Sequence, residues 1–500
     1  LNPFVGLIDG VKTATFIGDT FWSIEIEIPL SQMKANQNDV ASDWGFNITR
    51  FRPQKPSQPS QSSSWSDLLS YDFHQPGKFG LLWLRDKNPI DNELIQKIES
   101  TVINNNSTTR NTINEKLLNT NWDCLTEVLA PEIIHNISTT EFNDIRDAQV
   151  KTRNENWNKL FQTQGFPKFQ NEMRQNFIKN IGDFPERTPL NAKLTRVHQN
   201  DSYEIFNLLY ESMPGHYVTA NLYQPIPSGN NKIPVILKLI GHSTPGKNSK
   251  NSLSFGDHLA RQGYAVLIMD SLGQGERIYV NQGNGSRTPT SNHYAMGSPC
   301  VLLGQNIAKY FVWDAIRAID FIIDQPQLDA NKIIVTGESG GGTVTSYVAA
   351  LDTRVAGAAS CSAMGSDVHG SGGHDCEQQL ANCYSGCFDA MGRTAMVAPR
   401  PYVILGEYGS EEGLKRNYEM VDQAKMAFRF FGKENNLEYY PTKEPHGYGP
   451  GHRKIFYTWL SKYFPANNNF AMNESKPLFN DTDALRVTKN WQVYFTRELR

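Results

Sequence analysis

Ser339 stands in Gly337-Glu338-Ser339-Gly340-Gly341, a G-x-S-x-G pattern inside "IIVTGESGGG". An apolar strand-like run precedes it, and a helical run, "GGTVTSYVAALD", follows. A serine on so sharp a strand-to-helix turn is lifted above the sheet edge, and only glycines fit on either side of it. The following helix directs its N-terminal N–H groups and positive dipole end toward the same point. The chemistry this suits is attack on an acyl carbonyl, with the oxyanion held by the N–H of Gly340. A second oxyanion donor has to come from the loop after an earlier strand. "KLIGHSTPGK" is well placed to supply it through the N–H of His242 or its neighbour Ser243.

Such a serine requires a base and an acid, in the chain order Ser, Asp/Glu, His. That order makes His446, in "KEPHGYGPGHRK", the base. It sets aside His242, which comes too early, and leaves His452 as second choice. The acid should lie between Ser339 and His446. The stretch "VILGEYGSEEG", residues 403–413, reads as a buried strand ending in a Gly-rich turn. It offers Glu407, then Glu411 and Glu412 further along the loop, while Asp367 and Asp375 follow the preceding strand. The acid has only to fix the imidazole tautomer and stabilise the imidazolium, so several backbone positions can serve. Glu407 is preferred, Glu411 next.

These side chains need a rigid carrier. Between 186 and 465, "KIPVILKLIG", "AVLIMD", "KIIVTG", "VAGAAS", "PYVILG" and "NLEYYPT" read as strands. Among them, "FGDHLARQGY", "YFVWDAIRAIDFII", "GGTVTSYVAALD" and "HRKIFYTWLSKYF" read as helices. Apolar runs without alternation, separated by helices, predict an α/β doubly wound, mostly parallel sheet covered on both faces. Residues 1–84 read as β, since "FWSIEIEIPL" alternates apolar and polar side chains. Residues 85–185 read as a helical connector packing on the α/β region, and 466–500 as a short β appendage. Asp314 and Arg317, three apart on a helix, predict a structural pair. Glu276 and Arg277 predict a loop-fixing ion pair.

Composition sets the outer bounds. The chain has 500 residues, 39% hydrophobic and 20% charged, with a net charge of −3. That predicts an ordinary globular protein of more than one domain, with no electrostatic case for nucleic acid or an anionic membrane as partner. No apolar run is long enough to span a bilayer. Cys376, Cys383 and Cys387 cluster near His369 and His374. Zinc would want a further Cys/His pair at tight spacing, so a local disulfide is expected there, and no metal or cofactor. The chain starts at Leu1 without a charged-then-apolar leader, so a processed or truncated product is expected.

Longer stretches carry a family resemblance. "FPERTPLNA", "YVTANLYQP", "GHSTPGK", "LARQGYAVLIMDSLGQGER", "VWDAIRAIDFI", "VTGESGGGT", "ALDTRVAGAAS", "MVAPRPYVILGE" and "PHGY" are similar to the bacterial acetyl xylan esterase-like branch of the α/β-hydrolases. The resemblance implies a serine carboxylesterase that cleaves ester groups on carbohydrate through an acyl-enzyme, in a secreted or periplasmic protein. Members carry Asp where this chain has Gly409, so here the acid is expected to have moved. "EIEIPLSQM", "WGFNITRFRP", "SSWS" and "FHQPGKFGLLWL" resemble the C-terminal half of a family 9 carbohydrate-binding-like β-sandwich, with Trp65 in an exposed loop. Two rival readings follow: a catalytically impaired carbohydrate-binding homologue, prompted by Gly409, and a serine peptidase of the same fold.

Overall fold

The structure is a computed structural model. It describes the backbone of six short strands between residues 12 and 83 and of a helix from Pro131. It then describes residues 144–493 apart from 163–164, 227–228, 230, 280–287, 366–375, 378–379, 381–382, 467–469 and 489–491. Trp65, Asp367, His369, His374 and Asp375 therefore lie outside the described residues. The chain divides into two compact units, 1–134 and 135–500.

In the first unit β1 (Lys12–Ile17) pairs antiparallel with β2 (Trp22–Glu27). Likewise β3 (Asp43–Phe46) pairs with β6 (Gly80–Trp83), and β4 (Thr49–Arg52) with β5 (Gln61–Ser64). The alternating "FWSIEIEIPL" contains β2.

The second unit opens within α1 (Pro131–Gln162), and α2 (Phe166–Ile181) follows. The buried face of α2 carries Phe166, Met173, Phe177 and Ile181 at helical spacing. Phe177 stacks on Phe388 at 5.0 Å, and the Gln170 amide donates to the Ala398 carbonyl at 2.8 Å. The segment read as a connector thus supplies helices to the core of the α/β unit.

The centre is a nine-stranded sheet in the order β15-β14-β13-β12-β10-β11-β9-β8-β7. Its strands are β7 (Lys193–Gln199), β8 (Tyr203–Met213), β9 (His216–Pro225), β10 (Ile233–Leu239), β11 (Ala265–Met269), β12 (Leu328–Glu338), β13 (Gly357–Cys361), β14 (Tyr402–Glu407) and β15 (Leu437–Thr442). β10 to β15 run parallel, and β7 to β9 extend one side antiparallel. Every residue of β10 and β11 is buried, as unbroken apolar runs require of a sheet covered on both faces. The covering helices are α3 (Lys250–Arg261), α4 (Pro289–Leu302), α5 (Ala308–Ile323), α6 (Gly340–Leu351), α7 (Ala390–Val397), α8 (Glu411–Phe430) and α9 (Pro450–Tyr463). This is the α/β architecture expected. From β10 the chain crosses to β11 on one side and then to β12 on the other. The carboxyl ends of β10 and β12 therefore flank a topological switch point, where such sheets hold their ligands.

Two polar expectations and one of secondary structure are corrected. Asp314 does not pair with Arg317. Asp314 pairs with Arg277 at 2.8 Å, while Arg317 pairs with Asp320. Glu276 and Arg277 do not pair with each other. Glu276 binds Lys247, and its oxygens accept the N–H groups of Val487 and Thr488 at 2.9 and 2.7 Å. The segment expected as a β appendage has no strand among its described residues. Instead it is fastened to buried polar groups, including the Asn207 amide, which donates to the carbonyls of Ala484 and Arg486.

Asp314 and Arg277 are buried. Burial alone would raise the Asp314 carboxyl, but Arg277 beside it and hydrogen bonds from His216 and Ser212 bring it down to about 2. A depressed folded-state value means stability that is present above the ordinary carboxylate range and lost as pH falls through the folded value. Asp314→Asn leaves a buried guanidinium uncompensated, so at neutral pH it should cost about 3–5 kcal/mol in denaturant unfolding. The gap between wild type and variant should shrink between about pH 4 and pH 2. A gap that stays constant over that range would contradict the ion pair.

Candidate active site

Ser339 links β12 to α6 with φ 54° and ψ −130°, a conformation that side chains seldom adopt. Neighbouring backbone enforces it. A Cβ on Gly337 would lie 2.3 Å from the Leu239 carbonyl oxygen, and one on Gly341 2.4 Å from the same atom. The end of β10 thus presses on the turn, and only glycine leaves room. The Ser339 N–H donates to the Cys361 carbonyl at 3.0 Å, and the Thr343 N–H donates to the Ser339 carbonyl at 3.0 Å. Strand β13 and the first turn of α6 therefore grip the residue from both sides.

His446 lies four residues beyond β15. Its Nε2 is 2.9 Å from Ser339 Oγ, and its Nδ1 is 2.7 Å from Glu407 Oε1. Glu407 is the last residue of β14, in register with Thr442 of β15. The loop bearing His446 folds back across β13. Ser362 pins it there, donating from Oγ to the Gly447 carbonyl at 3.0 Å and accepting the Gly447 N–H at 3.3 Å. Tyr448 adds a 2.9 Å hydrogen bond to Thr336 Oγ1, and burial holds its phenol well above the ordinary value.

The remaining candidates stand elsewhere. Glu411 and Glu412 open α8, where Glu412 binds Arg416 at 2.7 Å. They belong to a helix and not to the loop expected there. His452 is buried against Thr442 Oγ1 at 2.6 Å. A Cβ on Gly409 would meet nothing within 4 Å.

Gly340 is the first residue of α6, where helical N–H groups lack intrahelical acceptors. The loop after β10 touches the nucleophile turn, since a Cβ on Gly241 would fall 2.9 Å from Ser339 Cβ. Of the two alternatives on that loop, the Ser243 N–H is already engaged, donating to Gln274 Oε1 at 3.1 Å. The His242 side chain turns to a buried group, with Nε2 3.2 Å from His293 Nδ1 and 3.1 Å from Cys376 Sγ. No disulfide joins Cys376 to Cys383 or Cys387, against the expectation. Sequence reading missed this grouping because His242, His293 and Cys376 are too far apart along the chain to leave a spacing signal. Ser362 was missed because nothing marks a lone serine after a strand.

A cleft of about 490 Å³ opens over Ser339 and His446. Lys238, Ser243, Ser249, Asn251 and Arg453 line it. Its cations are answered: Lys238 by Glu338 at 2.9 Å and Arg453 by Glu474 at 3.1 Å. Among the described residues no helix is long and apolar enough to cross a membrane.

Comparison with known proteins bears on the fold. Residues 170–368 match the family model described as acetyl xylan esterase (AXE1), a match that leaves 1–84 outside it. YtaP of Bacillus subtilis (strain 168), classed by name among hydrolases, is 23% identical over 194 residues, 37% of this chain. The chain spans 61% of the length of that relative. The structure of methylesterase BT1017 superposes with a TM-score of 0.53 at 21% identity, covering 67% of this chain and 73% of that one. A glucuronoyl esterase from Solibacter usitatus has a TM-score of 0.45 at 13% identity, covering 59% of this chain and 92% of that one. The fold is that of the α/β-hydrolases.

The geometry sets a test of the acid. Glu407→Gln keeps the shape and removes the charge beside His446, and should lower kcat/KM by roughly 10³- to 10⁴-fold. Glu411→Gln should leave kcat/KM near wild type. Adding Gly409→Asp to Glu407→Gln should recover part of the loss, since that position has open space. Wild-type turnover in Glu407→Gln would remove Glu407 from the site.

Proposed function

We propose that this chain is a serine carboxylesterase acting on acylated carbohydrate. The observation that carries the reading is the hydrogen-bonded line Glu407–His446–Ser339, at 2.7 and 2.9 Å, with Ser339 on a strained strand-to-helix turn. Ser339 Oγ attacks the ester carbonyl while His446 Nε2 takes its proton. The His446 Nδ1–H donates to Glu407, which fixes the tautomer and stabilises the imidazolium. The N–H groups of Gly340 and His242 hold the tetrahedral oxyanion. Collapse expels the alcohol, protonated by His446, and leaves the acyl group on Ser339. Water, deprotonated by His446, then releases the carboxylic acid and restores the serine.

Carbohydrate as the alcohol side is supported by the acetyl xylan esterase family model over 170–368. The cleft is consistent with it. Its volume is within the range of small-molecule sites, and hydroxyl, amide and ammonium groups line it beside Tyr448 and Phe255. Polar side chains serve sugar hydroxyls, and aromatic faces serve the apolar faces of sugar rings. The paired state of Lys238 and Arg453 favours a neutral acylated sugar over an anionic one.

The test is hydrolysis of p-nitrophenyl acetate, then of acetylated xylan against a methyl ester of glucuronate. Ser339→Ala should lose on the order of 10⁶ in kcat without loss of fold. Acetate release should exceed methanol release. Undiminished turnover in Ser339→Ala would overturn the nucleophile, and preferred release of methanol would overturn the substrate class.

A further inference from the structure

We infer that His242, His293, Cys376 and Glu377 form a zinc site that fastens the loop after β10 to α4 and to the segment between β13 and α7, beside the turn bearing Ser339. The four come from three separate connections. His242 follows β10, His293 lies in α4, and Cys376 and Glu377 lie between β13 and α7. One ligand atom from each converges, all lying within 4.8 Å of one another. His242 Nε2 is 3.2 Å from His293 Nδ1, 3.1 Å from Cys376 Sγ and 3.3 Å from Glu377 Oε1. His293 Nδ1 is 3.0 Å from Cys376 Sγ and 3.3 Å from Glu377 Oε1. A tetrahedral zinc with bonds of about 2.0–2.3 Å separates its ligands by roughly 3.3–3.6 Å, so the nitrogen and oxygen spacings match within about a tenth of an ångström and the two to sulfur are shorter by about half an ångström.

Proton accounting argues for a cation. His293 Nε2 lies 2.6 Å from the Leu272 carbonyl, which can only accept, so that nitrogen carries the proton. The lone pair of a neutral His293 is therefore on Nδ1, aimed into the cluster. A backbone carbonyl on the far nitrogen is the usual second contact of a metal-bound histidine. His242 Nε2 can offer at most one proton and Cys376 one, while ionised Glu377 offers none. Two protons bridge two of these five close contacts and leave the others between lone pairs, whereas one cation draws all four atoms together.

Burial and charge select the ion. His293, Cys376 and Glu377 are at most 5% exposed. A divalent ion offsets one thiolate and one carboxylate, so the loaded site is neutral, as a buried site should be. Two imidazoles and a sulfur suit zinc and do not suit calcium or magnesium, which take oxygen ligands. With four protein ligands the site is closed, in the manner of structural zinc. It also adjoins the proposed oxyanion hole: a Cβ on Gly340 would lie 2.7 Å from Glu377 Oε1, and His242 supplies the other donor. Metal binding stands without the esterase reading, while the role in placing the oxyanion donors rests on it.

The test is elemental analysis of the full chain purified from zinc-supplemented medium, which should return about one zinc per chain. Cobalt(II) put in its place should give a thiolate-to-metal charge-transfer band in the near ultraviolet. Cys376→Ser should abolish that band, and Cys383→Ser should leave it and the zinc unchanged. Chelation should lower kcat for ester hydrolysis, and zinc should restore it. Wild-type protein holding under roughly a tenth of an equivalent of zinc, both as purified and after reconstitution, would overturn the site. So would a cobalt band that survives in Cys376→Ser. Full zinc occupancy in a protein that hydrolyses no ester would keep the site and sink the function proposed above.

Discussion

Steric crowding between the end of β10 and the start of α6 sets the backbone of Ser339, and the arrangement of the site depends on it. The Leu239 carbonyl occupies the space that side chains at 337 and 341 would require. A residue held at φ 54°, ψ −130° costs of order 1–3 kcal/mol and persists only where its surroundings over-determine it. Here the surroundings are two buried parallel strands, a helix start and a backbone hydrogen bond to β13. The turn aims Oγ away from the sheet, toward the loop bearing His446. The same close approach brings the loop after β10 beside it, so one contact serves the proposed nucleophile and both proposed oxyanion donors.

Around that contact, charged groups that could have served chemistry serve position. Lys247 follows the loop bearing His242 and is fully buried, paired with Asp270 at 3.1 Å and with Glu276. Asp270 directly follows β11, and Glu276 in turn holds the backbone at 487–488. The loop after β10 is thereby tied to the neighbouring strand and to the C-terminal segment. Arg277 and Asp314 make a second buried pair, joining the loop after β11 to α5. Removing one partner from such a pair strands a charge, which gives these residues a larger effect on stability than exposed pairs have. The group at His242, His293, Cys376 and Glu377 includes a residue of the same loop.

The parallel half of the sheet was legible because its strands are continuous apolar runs, and β10, β11 and β14 fall where those runs predict. The antiparallel strands β7 to β9 carry no such signature. Asn207, Thr219 and Asn221 are buried within them, each donating to a partner distant in sequence. In the site, motif and chain order pointed to Ser339 and His446 and left Glu407 as the preferred one of five carboxylates, and the structure brings these three within hydrogen-bond distance. A glutamate at 407 reaches His446 from the strand's last residue, where its extra methylene compensates for the position. Pairings such as Arg277 with Asp314 were not legible, because a helical i, i+3 partner is visible in sequence and a partner 37 residues away is not. The grouping of Cys376 with two distant histidines was hidden for the same reason, whereas Cys383 and Cys387 stood close by in sequence.

The account turns on covalent chemistry at Ser339. Protein mixed with a fast-reacting acetate ester and quenched in acid during the first turnovers should show, by intact mass, a fraction heavier by one acetyl group. Digestion should place that group on the peptide containing Gly337–Gly341, at Ser339, and Glu407→Gln should slow both its formation and its decay. An acetyl group on any other residue, or ester hydrolysis at full rate with no trapped adduct and no label on Ser339, would contradict the account.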